Sequence, residues 1–192
     1  MTEVAPYAFY DNEQFVYFEF PKNVTYVNES AFFRCNKLVF GDGVETPKNK
    51  FPAQITAVGP YAFKYAMADS MENGTLIIPG TLAEFRTKTE SGVVLSEAFA
   101  YITSVKDLEI GGPSDPCKLD LTKLNQEMGI FRQANNDWQQ KIEKLTVYVD
   151  GSLTDWDSLA DKLHIGYYEN RAEEGADPVW EFVPLDTIVV NA

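Results

Sequence analysis

His164, in the run KLHIGYY, is the only histidine among 192 residues. Any Ser-His-acid chemistry in this chain would have to pass through it. No G-x-S-x-G elbow accompanies it, and apolar neighbours favour a structural role for a lone imidazole. A zinc site would need more ligands than its surroundings offer. Asp150 through Asp157 is acidic but lacks the D-x-D-x-D-G spacing and closing Glu of a calcium loop. There is no Walker loop and no dinucleotide fingerprint. Asp107 and Glu109 could do acid-base work if they flanked a cleft. At i and i+2 on a strand they are better explained as a solvated face. Cys35 and Cys117 match neither a C-x-x-C metal site nor a disulfide framework, and both are expected to be reduced and structural. These residues predict no catalytic constellation, no metal site and no cofactor: not an enzyme.

The elements that carry these residues come from a repeated phrase. Val4-Ala8-Phe9, Val27-Ala31-Phe32, Val58-Ala62-Phe63 and Val94-Ala98-Phe99 all read V-x-x-x-A-F. After Ala-Phe the first copy places Asn12, Phe15, Phe18 and Phe20, and the fourth places Ile102, Val105, Leu108 and Ile110 at the same offsets. The closing apolar-x-apolar has the period of a half-buried strand. Copy two keeps Cys35 and Leu38 and then shortens, so that Leu38 and Phe40 supply its strand. Copy three inserts MADSMENG before Leu76-Ile77-Ile78-Pro79. Two degenerate copies follow, at Ile142-Leu145-Val147 and Leu185-Ile188-Val190. One turn of two dozen residues cannot hide its apolar face, whereas stacked turns hide one another's. Phe9, Phe32, Phe63 and Phe99 should therefore form one interior ladder.

VTYVNESAFFRCNKL and ITAVGPYAF, together with F-E-F-P at 18 to 21 and L-I-I-P at 76 to 79, carry a resemblance. They resemble the BspA-type (Treponema pallidum-type) leucine-rich repeats of bacterial surface proteins. The likeness covers residues 4 to 112 well and 129 to 192 loosely. It implies an α/β fold: a leucine-rich-repeat solenoid with a parallel sheet on one face and irregular or helical insertions on the other. The whole chain, 1–192, would be a single such domain, either by itself or as a fragment of a longer protein. The resemblance also implies a secreted or cell-surface bacterial protein, several relatives being adhesins or host-protein binders. Noncatalytic recognition of a protein or glycan is the leading expectation. A structural spacer or display module is the alternative, and an enzyme comes last.

Charge bears on partners. Twenty-nine acidic residues against 16 basic ones give a net −13 and a pI near 4.4. Such a surface repels phosphate backbones and anionic headgroups, which argues against nucleic acid or peripheral membrane binding. No apolar run approaches the ~18 residues of a membrane span, and MTEVAPYAFY lacks the basic and apolar regions of a signal peptide. Three glycosylation sequons, at Asn23, Asn28 and Asn73, would stay unmodified in a bacterial source.

The remaining segments are less regular. PSDPCKLDLTKLNQEMGIF opens with turn formers, then spaces Leu121, Leu124, Met128 and Phe131 as a helix would. A second short helix is expected at Leu153 to Leu159, capped by Thr154. ENRAEEGADP, 169 to 178, is expected to be a polar loop. Strand alternation aims Tyr17, Glu19, Ile77, Asp107, Glu109, Thr146 and Tyr148 outward, and these are the candidate ligand-binding residues on the open sheet face.

Overall fold

A computed structural model describes residues 1–40, 48–67, 74–133, 142–150, 155–172, 179–185 and 188–191. Its first strands are β1 (Glu3–Val4), β2 (Tyr17–Phe18), β3 (Tyr26–Val27), β4 (Val39–Phe40), β5 (Lys48–Lys50) and β6 (Ala57–Val58). Then come β7 (Gly74–Ile78), β8 (Glu84–Phe85), β9 (Lys88–Glu90), β10 (Val93–Leu95) and β11 (Val105–Ile110). Two 3-10 turns, Leu121–Lys123 and Gln126–Met128, precede β12 (Lys144–Tyr148). A third, Trp156–Ser158, runs into the five-residue helix α1 (Leu159–Leu163). The last strands are β13 (Gly166–Asn170), β14 (Trp180–Pro184) and β15 (Ile188–Asn191).

The largest sheet runs β15-β12-β11-β7-β5, and all its pairings are parallel. Register sets Leu76, Leu108, Leu145 and Ile188 side by side, with Ile78, Ile110, Val147 and Val190 in the next inward row. A second parallel sheet, β1-β3-β6-β8, aligns Val4, Val27, Val58 and Phe85. β2 and β4 form a separate parallel pair.

Between these strands the Ala-Phe turns stack on one another. Residues before and after each Ala-Phe-x segment have positive φ: Tyr7 and Asp11, Ser30 and Arg34, Tyr61 and Tyr65, Glu97 and Tyr101. A left-handed backbone is costly for non-glycine residues and persists only where neighbours over-determine it. Here a hydrogen-bond ladder does so. The amides of Phe9, Phe32, Phe63 and Phe99 donate at 2.8 Å to the carbonyls of Ala31, Ala62, Ala98 and Ile130. Phe131 continues the ladder to Leu163 at 3.0 Å. The rings follow: Phe9, Phe32, Phe63, Phe99 and Phe131 stack with successive centroids 5.1 Å apart. The expected four-ring ladder is present, and Phe131 extends it. One buried cluster reaches from Val4 to Ile165, with Phe9 and Ile188 packed against it.

Several expectations are corrected. Val94 does not align with the other three valines. It is 47% exposed on β10, in an antiparallel hairpin with β9, and Phe85 takes its place beside Val58. An inserted hairpin happens to reproduce the four-residue spacing before Ala98. The shortened second repeat contributes more than β4: β5 joins the largest sheet through Asn49, which is fully buried beside Leu76. Asn49 Oδ1 accepts the Phe40 amide at 2.8 Å and so links the two groups of strands. The stretch from 121 to 128 forms 3-10 turns rather than a helix. Asp120 and Asn125 cap them by accepting the amides of Thr122 and Met128. Their side chains reward a tight turn at each start, which breaks any longer helix. Glu169 and Asn170 end strand β13, paired with β14, instead of opening a loop. Thr154, Asn73 and residues 173–178 lie outside the described residues.

Candidate interaction surface

One or two residues after each Ala-Phe stands an aromatic side chain that is at least partly exposed. Tyr10 and Phe33 follow Phe9 and Phe32 directly, while Tyr65 and Tyr101 come one residue later in their turns. Stacking of the turns brings them into a stripe. Tyr10 and Phe33 stack at 4.9 Å, Phe33 meets Tyr65 edge-to-face at 5.7 Å, and Tyr65 stacks on Tyr101 at 4.7 Å. Tyr7 leans on Tyr10 at 5.7 Å. Tyr7, Tyr10 and Tyr65 are 53%, 48% and 40% exposed, so this is surface rather than core.

Charges along the stripe are matched internally. Lys64 lies over the Tyr61 ring at 4.7 Å and is 5.6 Å from the centroids of Tyr65 and Tyr101. It also pairs with Glu97, a buried carboxylate that takes Arg132 at 2.9 Å on its other oxygen. Burial, and then the Glu97 charge, push the Tyr101 hydroxyl above its usual titration range. Arg34 spans Asp11 at 3.0 Å and Glu13 at 3.3 Å. Tyr7, Tyr10 and Tyr65 thus reach solvent beside charges paired with one another. The repeat phrase shows Ala and Phe plainly, but the aromatic shifts by one position between the second and third turns. That shift hides the stripe from a search at fixed offsets.

The sheet-face residues are placed as follows. Ile77, Glu109, Thr146 and Val189 form one row across the largest sheet, and Asp107 sits between Thr75 and Lys144 in another. Ile77, Asp107, Glu109 and Tyr148 are half-buried. Thr146 is only 7% exposed, unlike the outward residue that strand alternation predicts. Tyr17, 47% exposed, lies on β2 and Glu19 lies just beyond it, so both belong to the other group of strands.

His164 is 5% exposed and itself adopts positive φ at the end of α1. Its Nδ1 is 2.9 Å from the Gln126 carbonyl, an acceptor, so Nδ1 carries the proton. Nε2 then accepts from the Tyr168 hydroxyl at 3.0 Å, and the Phe182 ring lies 4.3 Å away. Burial lowers its pKa. Burial likewise pushes the Cys35 thiol up to about 11, and its Sγ donates to the Phe9 carbonyl at 3.1 Å. Cys117 is also buried and shifted upward. Such thiols are poor nucleophiles. Among the described residues no three His, Cys, Asp or Glu side chains converge as metal ligands would, and no helix is long and apolar enough to cross a membrane.

Parallel strands, Ala-Phe turns and a repeat period of a few dozen residues define a leucine-rich-repeat protein. The family model described as BspA type Leucine rich repeat region matches six copies across residues 2–113, and the chain belongs to that family. Such repeats generally mediate protein interactions and are typically noncatalytic and surface-associated. No curated protein and no solved structure matches the chain.

Proposed function

We propose that residues 1–192 form one solenoid domain of a secreted or surface-attached bacterial protein, and that it recognises a protein partner without chemistry. The observation that carries this is the exposed stripe of Tyr7, Tyr10, Phe33, Tyr65 and Tyr101. Tyrosine is enriched at protein interfaces because a large rigid area orders at low entropic cost. A glycan would stack on free ring faces. Here Tyr65 and Tyr101, and Tyr10 and Phe33, each cover one face of the other within 9° of parallel, which leaves fewer faces for a sugar and favours a polypeptide. The test is binding to a panel of purified extracellular proteins and to a glycan array, with Tyr10→Ser/Tyr65→Ser as the variant. Binding to a protein that weakens about tenfold or more in the variant supports the proposal. Binding confined to glycans, or unchanged in the variant, overturns it.

A second proposed contact surface joins the open face of the largest sheet to the exposed Tyr17 and Glu19 of the β2-β4 pair beside it. Ile77, Asp107, Glu109, Thr146 and Tyr148 complete it, with Thr146 able to contribute only from below the surface. Glu19 and Glu109 would favour a basic partner, and that binding would weaken with added salt. Glu19→Lys/Glu109→Lys should lower affinity while leaving the melting temperature nearly unchanged. Affinity that survives this reversal puts the contact elsewhere on the molecule.

A further inference from the structure

At the Phe-Pro corners of two repeats, Glu19, Phe20 and Lys22 on one side and residues 50–54 on the other line an open cleft of about 330 Å³. That is near the lower end of the ~300–1,000 Å³ typical of small-molecule sites. Its floor is apolar. Phe20 and Phe51 are 8% and 2% exposed, their ring centroids 5.6 Å apart. Gln54 Nε2 donates to the Pro21 carbonyl at 3.3 Å and ties the two corners together. The rim carries Lys22 and Lys50, both exposed, and neither forms an ion pair among the described residues. In a chain of net charge −13, two lysines lining one cleft without an ion pair among the described residues are a local exception. Glu19, on the same rim, sets a limit on the charge that can enter.

We propose that this cleft binds a small aryl monocarboxylate, its ring against Phe20, Pro52 and Ala53 and its carboxylate between Lys22 and Lys50. Charge complementarity selects the anion, and the apolar floor selects a flat hydrophobic body. Glu19 disfavours multiply charged anions such as phosphate esters. This site is separate from the aromatic stripe and shares only Glu19 with the sheet-face contact, so Lys22 and Lys50 distinguish the two.

The probe is 3-phenylpropionate, titrated into the full chain and followed by protein NMR and calorimetry. Its amide, 3-phenylpropanamide, and inorganic phosphate serve as controls. The acid should saturate one site, with the amide and phosphate about tenfold weaker or worse. Lys22→Ala/Lys50→Ala, two exposed positions, should weaken the acid by a similar factor, while Glu19→Gln should strengthen it. The proposal is overturned if the amide binds as well as the acid, or if the double lysine variant binds unchanged. It also fails if no saturation appears by about 10 mM.

Discussion

Phe63 sits at the centre of the ring ladder, fully buried, with Phe32 and Phe99 each 5.1 Å from its centroid. Removing it strips contacts from both neighbours at once, and stacked turns cannot collapse toward each other without breaking their amide ladder. Phe63→Ala should therefore cost ~3–5 kcal/mol in chemical denaturation. A loss below about 1 kcal/mol would mean the ladder does not bear on stability. His164 makes a second residue-scale prediction. Its folded pKa is lowered, first by burial and then by Arg132, against the Gln126 carbonyl, Asp161 and Glu97, which oppose the shift. The unfolded chain thus binds a proton that the folded chain refuses, and stability falls as pH drops from the ordinary histidine value toward the folded one. His164→Asn stays neutral and tolerates positive φ. The difference in stability between wild type and this variant should shift against wild type between pH 7 and pH 5. Because there is no other histidine, a flat difference would remove His164 as the cause.

At the scale of elements, the corner after β7 depends on a residue with no side chain. A Cβ on Gly80 would lie 2.1 Å from the Asp115 carbonyl oxygen and 2.2 Å from that of Pro116. Both are backbone atoms of a turn already fastened there, since Asp115 Oδ2 accepts the Gly80 amide at 2.7 Å and the Gly80 carbonyl accepts from Lys118 at 3.0 Å. No rotamer can relieve that clash, so Gly80→Ala should destabilise by at least ~3 kcal/mol in a urea melt. The elements also explain what a sequence reader can and cannot see. Ala62-Phe63 and Leu76-x-Ile78 repeat because burial demands the same residue types in every turn. Val94 matched by spacing alone, since a hairpin inserted between Phe85 and Ala98 kept the count while leaving the core. Asn49 is hard to see in the sequence because a buried polar residue, held through its Oδ1 by one backbone amide, breaks the apolar pattern. The aromatic stripe was equally hidden. Surface positions answer to a partner rather than to the repeat, so Tyr10 and Tyr65 need not keep the same offset.

For the whole molecule, the balance of −13 is distributed without forming a metal cage among the described residues. The expected outcome is that a chelator leaves the thermal transition where it was. A shift of many degrees with EDTA would reveal an ion contributing to the folded state. The family match covers residues 2–113, yet the same parallel register continues through β12 and β15. The later repeats have lost Ala-Phe while keeping alternate apolar strand positions, and those positions suffice to hold them in the sheet. Ile130-Phe131 and Leu163 show the intermediate stage, with bulkier residues in the alanine position and the amide ladder intact.

The ladder of turn amides has a mechanical corollary. Every rung points its donors toward the next, and β1 and β15 lie on opposite edges of their respective sheets. Tension applied between the two ends would load these bonds in succession, as in peeling tape, rather than together in shear. Extension of a single molecule should yield a staircase of low-force events in place of one tall rupture. Successive phenylalanines of the ladder lie 23 to 36 residues apart, so each event should release roughly 80–130 Å of chain. A domain that yields in this way would act as a graded shock absorber wherever it is tethered.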